Sequence, residues 1–370
     1  MSQYVPPKGE NWETVSPADA GLDAEALKDV ATFACENESA MDRDIARALK
    51  AGHFDEPPPD GDVIGPTEPR GDPSGLVVKD GRIAAEWGPT TAPDITFSVT
   101  KSYLSLCAGL AVDDGLIPDV NAPVRELVQD GTFDSTQNRD ITWVHLLTQS
   151  SEWEGTLWGK ADRIDRNRQL DGLGDGTVKK GTHRDLQSPG AFWEYNDIRV
   201  NVLAYALLMV FRKPLPDVLR ARIMDPIGAS DDWHWEGYET SWVEIDGHRM
   251  QSVSGGAHWG GGLFISSRDQ ARTGLLMSRR GRWGDEQLIS ERWIDASTAP
   301  SEVFPLYGYL WWLNADRAYC AAAPETSYFA LGHGRNVIWI DPTLDLVVVS
   351  RWIERTAFDG LAERVMKAIA

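Results

Sequence analysis

The 370-residue sequence predicts an α+β fold, an antiparallel sheet flanked by helices plus a helical lobe. Two observations carry this. Short strand patterns accompanied by an amphipathic helix occur at both ends of the chain, and the stretch between them, roughly 120–250, is mostly helical in pattern with long loops. Bringing the two ends into one layer leaves the middle as a separate lobe. The boundaries then fall as a discontinuous α/β lobe of residues 1–104 and 255–370 around a helical lobe of 105–254.

Each element has a local reason. Residues 16–36 carry Leu22, Leu27, Val30, Phe33 and Ala34 at helical spacing with acidic residues early, which predicts an N-terminal amphipathic helix. Residues 51–73 are dense in Pro, Gly and Asp and read as an exposed insertion without regular structure. Two strands follow at 75–88 around the Asp80-Gly81 turn pair. The stretch from Phe97 to Leu116 is helical, with Leu104, Leu106, Cys107, Leu110 and Ala111 on its apolar face. Residues 198–212 form a helix apolar nearly all round, hence buried. The glycine-rich 254–266 leads into a helix at Arg268–Arg280. Residues 328–352 read as two strands joined at Asp341-Pro342, followed by a C-terminal helix.

Composition narrows the function. Lys plus Arg number 36 and Asp plus Glu 56, a formal charge of −20. So acidic a surface repels phosphate backbones and disfavours nucleic acid and anionic membranes as partners. No run of 18 or more apolar residues occurs, and the first residues lack the basic start and apolar core of a signal peptide. The three cysteines, Cys35, Cys107 and Cys320, are few and far apart, as in a reduced cytoplasmic protein. Cys107 reads as a small buried hydrophobe rather than a nucleophile. The chain has no Gly-x-Ser-x-Gly, Walker loop, Gly-x-Gly-x-x-Gly after a strand, His-Glu-x-x-His or Cys-x-x-Cys, so no cofactor or metal is implied. The expected partner is a small molecule. A homodimer is left open.

One short motif points to chemistry. Ser98-Val99-Thr100-Lys101 is the only Ser-x-x-Lys in the chain and sits at a predicted helix start. Residues three apart lie one turn above each other, so Lys101 can reach the Ser98 hydroxyl, and the positive end of the helix dipole favours the alkoxide. A tetrapeptide this short recurs by chance in many chains, and its context gives it weight. That context is the order of hairpin (75–88), Ser98-x-x-Lys101, ITWVHLLTQSSEW (141–153), PGAFWEYNDIRVNVLAYAL (189–207), HWGGGLFISSRDQAR (258–272) and GHGRNVIWIDPTLDLVVV (332–349). In this order the chain resembles the serine β-lactamase and penicillin-binding superfamily over about residues 20–360. The resemblance is to its class C-like branch, which includes family VIII carboxylesterases and 6-aminohexanoate-dimer hydrolases.

The resemblance implies Ser98 as nucleophile, with Lys101 and Tyr195 as general base and acid. A lysine ammonium beside a phenol favours phenolate, so phenolate or neutral amine can take the serine proton. It also implies an oxyanion hole from the backbone N–H groups of Ser98 and His333. Two departures matter. Asp197 stands where the Tyr-x-Asn motif has its amide, which weakens a β-lactamase reading and suits a cationic or amine-bearing substrate. Gly332-His333-Gly334 replaces the terminal Lys-Thr/Ser-Gly, which puts recognition of a β-lactam carboxylate in doubt. Substrate contacts are then expected from Asp197, Trp158, Trp259, Gly332 and Gly334. His258 and glycines 260–262 either line the pocket or permit close packing. Asp269 reads as a helix cap. The function implied is a serine hydrolase of esters first, amides second. A β-lactamase or D-alanyl-D-alanine peptidase and a non-catalytic binding protein on the same fold are the alternatives.

Overall fold

The computed structural model describes residues 4–9, 11–170 and 177–369. The larger sheet has six antiparallel strands in the order Trp312–Leu313, Tyr328–Gly332, Asn336–Asp341, Leu346–Arg351, Ser74–Lys79 and Arg82–Trp87. The two ends of the chain thus meet in one sheet, Ser74 standing opposite Arg351 and Lys79 opposite Leu346. Alternation along a strand gives the sheet two faces. On one, Phe358 of the C-terminal helix Phe358–Ile369 packs against Phe329, with ring centroids 6.0 Å apart. On the other, Gly274 of the helix Ser267–Ser278 rests on Ile338 and Val347. The N-terminal helix Ala24–Glu36 is capped by Asp23, whose carboxylate accepts from Ala26 N, and its buried Leu27 and Val30 face the C-terminal helix and the sheet.

The sequence-based expectation departs from the structure in four places. The first is the N-terminal helix, which begins only at Ala24 because residues 17–21 form turns and Asp23 caps its start. The terminal 328–352 region forms three strands, because Gly332-His333-Gly334 breaks the first from the second with Gly334 at φ +68°. The supposedly helical middle contains a long hairpin, His234–Ile245 with His248–Val253, turning at Asp246-Gly247. That Asp-Gly pair is a hairpin signal of the same kind as Asp80-Gly81. The hairpin joins Gly262–Ile265 and Asp94–Ile95 in a four-stranded sheet. Residues 51–73 lack regular structure but are not simply exposed. Trp259 O accepts from Ile64 N and Gly65 N, and the Asp60 carbonyl accepts from Lys160 Nζ at 2.8 Å and Trp259 Nε1 at 3.1 Å. These bonds press the inner side of the insertion onto the protein.

Two buried helices carry the rest of the core. Val99–Asp113 and Asp197–Phe211 lie against each other. In the second, every residue from Asp197 to Leu208 is buried, Asn196 caps the start by accepting from Arg199 N, and left-handed Arg212 ends it. Each apolar side chain so buried contributes on the order of 2 kcal/mol. Arg351 ties the two sheets together by donating to Ile265 O and Ile95 O at 2.6 Å each. Among the described residues no helix is long and apolar enough to cross a membrane.

Candidate active site

Ser98 stands at the N-terminus of the helix Val99–Asp113, and the backbone there is tightly constrained. Phe97 adopts φ +47°, a left-handed conformation that an aromatic residue rarely takes and that persists only where the surroundings impose it. Those surroundings are buried packing against Phe54 and Trp352, a Thr96 N bond to Leu263 O at 3.0 Å, and a Gln270 Nε2 bond to Thr96 Oγ1 at 3.1 Å. A serine at this place often caps the helix with its own hydroxyl. Ser98 does not, since its φ and ψ are already helical, and its Oγ instead accepts from Lys101 Nζ at 2.8 Å.

Tyr195 comes from the loop before the second buried helix. That loop is held by a buried ion cluster: Glu152 pairs with Arg184 at 2.6 Å and Arg199 at 2.7 Å, and Glu194 with Arg184 at 2.6 Å. Burial pushes the Glu152 carboxyl up, but its bonds to Arg184 and the charge of Arg199 outweigh this and hold it below the usual range. The Tyr195 ring lies 4.7 Å from Lys101 Nζ and 5.2 Å from the Arg168 guanidinium. The structure thus brings together Ser98, Lys101 and Tyr195 from positions 98, 101 and 195.

The other predicted contacts are redistributed. Asp197 is fully buried and offers its charge to no substrate. It pairs with Lys101 Nζ at 2.5 Å, with Arg168, and with His258 Nδ1 at 3.2 Å. Burial raises its carboxyl, yet the charges of Lys101 and Arg168 and the His258 bond hold it well below the ordinary value. Trp259 is buried under the insertion it clamps, and Trp158 packs edge-on against Tyr205 at 5.4 Å, so neither lines the cavity at Ser98. Gly334 packs on Trp352 and lines a neighbouring cavity. Gly332 does belong to the site: a Cβ there would stand 3.2 Å from Ser98 N and would land on Thr96 O, so only glycine lets this strand end pass the Ser98 backbone. His333 follows immediately. Glycines 260 and 261 have positive φ and admit the insertion and Gly237 O at close range, which is the packing role. Asp269 accepts from Ser230 N at 3.0 Å and Ser230 Oγ at 2.6 Å in the first turn of its helix.

Several site residues carried no local signal. The insertion supplies His53, Phe54 and Glu56. His53 Nε2 meets His333 Nε2 at 2.5 Å, and Phe54 stacks on His258 with centroids 4.4 Å apart. Glu56 pairs with His258 and with Lys180 at 3.2 Å, and Lys180 lies 3.0 Å from Asp165. Asp165, Asp197 and His258 are close enough together to hold a metal ion. Their acidic charge is already matched by Lys101, Arg168 and Lys180, whose ammonium also stands 3.0 Å from His258 Nε2. The set is therefore a buried network of ion pairs behind Lys101. In front of it opens a cavity of about 490 Å³ reaching Ser98, Tyr195, Arg168, Trp312, Gly332 and His333.

A sheet flanked by helices, with a Ser-x-x-Lys pair at a helix start facing a tyrosine from the loop before the second buried helix, defines the penicillin-recognising class of fold. The beta-lactamase family profile matches residues 74–350, and the chain belongs to that family. Similar solved structures include a protein assigned as a 6-aminohexanoate-dimer hydrolase from Bacillus anthracis (TM-score 0.59, 16% identity, 79% of this chain and 78% of that one). A family VIII carboxylesterase matches at TM-score 0.55 and 16% identity over 88% of this chain and 95% of its own. A penicillin-binding protein homologue from Caulobacter crescentus matches at TM-score 0.55 and 16% identity over 87% and 95%. A search among curated proteins finds no match.

Proposed function

We propose that this protein is a serine hydrolase that cleaves a carboxylic ester or amide through an acyl-enzyme on Ser98. The observation that carries the reading is the 2.8 Å bond from Lys101 Nζ to Ser98 Oγ, at the floor of a cavity large enough for a small substrate. Ser98 Oγ attacks the substrate carbonyl and its proton passes to the Lys101–Tyr195 pair. The N–H groups of Ser98 and His333 hold the oxyanion. The tetrahedral species collapses, the C–O or C–N bond breaks, and the leaving group takes the proton. Water then adds to the acyl ester, gives its proton to the same pair, and releases the acid and Ser98. Esters are the first choice because their leaving groups demand least protonation, and amides come second. The family VIII carboxylesterase and the 6-aminohexanoate-dimer hydrolase among the similar structures support both.

The test is intact mass during early turnover of p-nitrophenyl butyrate, followed by peptide mapping. One butyryl group on the peptide holding Ser98 is expected. Turnover with no acyl adduct, or an adduct on another side chain, would sink the mechanism. A second expectation concerns Gly256, where a Cβ would fall 2.5 Å from Lys101 Nζ and onto the Asp197 carboxylate. Gly256→Ala should displace the ion pair and lower kcat for the ester about 10²-fold, the cost of misplacing a catalytic group by about 1 Å. Circular dichroism of the variant should match the parent; unchanged kcat would show that this alignment does not matter.

A further inference from the structure

The insertion of residues 51–73 lies outside the family match, which begins at residue 74, so its part in the site is read from its own contacts. Those contacts converge on Phe54. Its ring stacks on His258 with centroids 4.4 Å apart, and meets His333 edge-on at 5.0 Å and Phe97 edge-on at 5.9 Å. The Arg168 guanidinium lies 5.9 Å from its centroid. Each of these neighbours is one step from a group that the proposed reaction uses. Phe97 precedes Ser98, His333 offers one of the proposed oxyanion N–H groups, and Arg168 lies 5.2 Å from the Tyr195 ring. His258 Nδ1 meets Asp197 at 3.2 Å, and Asp197 holds Lys101 at 2.5 Å. Phe54 itself does not line the cavity at Ser98.

The ring is held from behind. The Phe54 carbonyl accepts from Lys180 Nζ at 2.9 Å, the same ammonium pairs with Glu56 at 3.2 Å, and Glu56 pairs with His258. On its apolar side Phe54 packs onto a small cluster apart from the main core, which includes Ile45 and Leu49 of the helix Ile45–Lys50 together with Phe97 and Trp352. A strained backbone keeps its conformation only while its surroundings over-determine it. Phe97, at φ +47°, has three ring neighbours in Phe54, His333 and Trp352, and Phe54 also braces the second of them. Removing this one ring loosens the residue before Ser98, the strand end at His333 and the imidazole behind Lys101 together. Displacing a reacting group by about 1 Å costs about 10²-fold in rate.

We propose that Phe54 is a positioning residue, through which the insertion holds Ser98, His333 and Lys101 in register. The inference rests on the hydrolase reading, and its deciding measurement needs no turnover. The probe is n-butylboronic acid. Its boron takes a lone pair of Ser98 Oγ, the hydroxyl proton leaves to the Lys101–Tyr195 pair, and the tetrahedral anion occupies the oxyanion hole. Calorimetric titration should give one boronate per chain in the parent and in Phe54→Ala, with Kd at least about tenfold weaker in the variant. Phe54→Leu should recover part of the loss by refilling the space without the flat ring. With p-nitrophenyl butyrate, kcat should fall at least about tenfold in Phe54→Ala while KM stays within about twofold, because Phe54 does not line the cavity. A merely structural role would lower the bound stoichiometry and the Tm and leave Kd unchanged. That result, a rise in KM with kcat unchanged, or values equal to the parent's overturns the proposal. Boronate binding that requires Ser98 and weakens in Phe54→Ala, with no turnover of esters or short amides by the parent, would strike the hydrolase reading and leave the positioning role standing. A parent that neither binds the boronate nor turns over the ester has no aligned Ser98 for Phe54 to hold, and overturns both.

Discussion

Ser98→Ala is expected to lower ester turnover by at least about 10⁴-fold, Lys101→Met by about 10³-fold, and the double variant no further than Ser98→Ala alone. The reasoning is that the two side chains act as one unit. Lys101 holds the Ser98 hydroxyl by donating to it, and it lies 4.7 Å from the Tyr195 ring. Without the hydroxyl there is no nucleophile for the lysine to serve, so its loss costs nothing more. Methionine matches the length of lysine without the charge, so the helix Val99–Asp113 keeps its packing. The effect should fall on kcat with KM changed only a few-fold, because Lys101 is buried and does not line the cavity. Partial recovery of Lys101→Met by added methylamine would mark a chemical role rather than a folding defect. Additive losses in the double variant would show that the two residues act in separate steps.

The pairing of Ser98 with Lys101 was legible because they lie one helical turn apart, and a 3.6-residue period is written in the sequence. Tyr195 was legible only through the order of motifs around it. The network behind them was not, and the reason is separation along the chain: Lys101 to Asp197 spans 96 residues, and Glu56 meets His258 from a proline-rich stretch that has no periodicity. An insertion rich in Pro, Gly and Asp predicts irregular backbone, which it has, but says nothing of what its His53, Phe54 and Glu56 touch. Trp259 misled for a related reason. A tryptophan amid glycines can face a ligand or clamp a loop, and the choice is made by Ile64, Gly65 and Asp60, nearly two hundred residues away. The hairpin turning at Asp246-Gly247 was locally signalled, and its apolar strands were absorbed into a helical reading of the whole middle.

Asp197 joins the site to the stability of the fold. Asp197→Asn keeps the shape of the side chain but removes the charge facing two buried cations, Lys101 and Arg168, leaving Asp165 as the carboxylate against Arg168. Breaking one side of a buried ion pair costs about 3–5 kcal/mol, and for a chain of this length that is on the order of a 5 °C fall in Tm at pH 7. The pH dependence has a definite sign. A carboxyl held far below its unfolded value of about 3.9 adds stability that is complete above about pH 4 and is lost as pH falls through the folded value. The gap between parent and Asp197→Asn should therefore be constant from pH 7 to about pH 5 and shrink below pH 4, with the variant showing the shallower acid limb. Thermal unfolding of both proteins between pH 3 and 7 reads this directly. Equal Tm at pH 7 would mean that Asp165 and Glu56 suffice to balance Lys101, Arg168 and Lys180, and a gap that widens toward pH 3 would mean that Asp197 folds as the neutral acid. The expected pattern instead makes the acid at this position a structural counter-ion for Lys101, so a stability loss and a kcat loss should appear together in this variant, whereas Ser98→Ala should show the kcat loss alone.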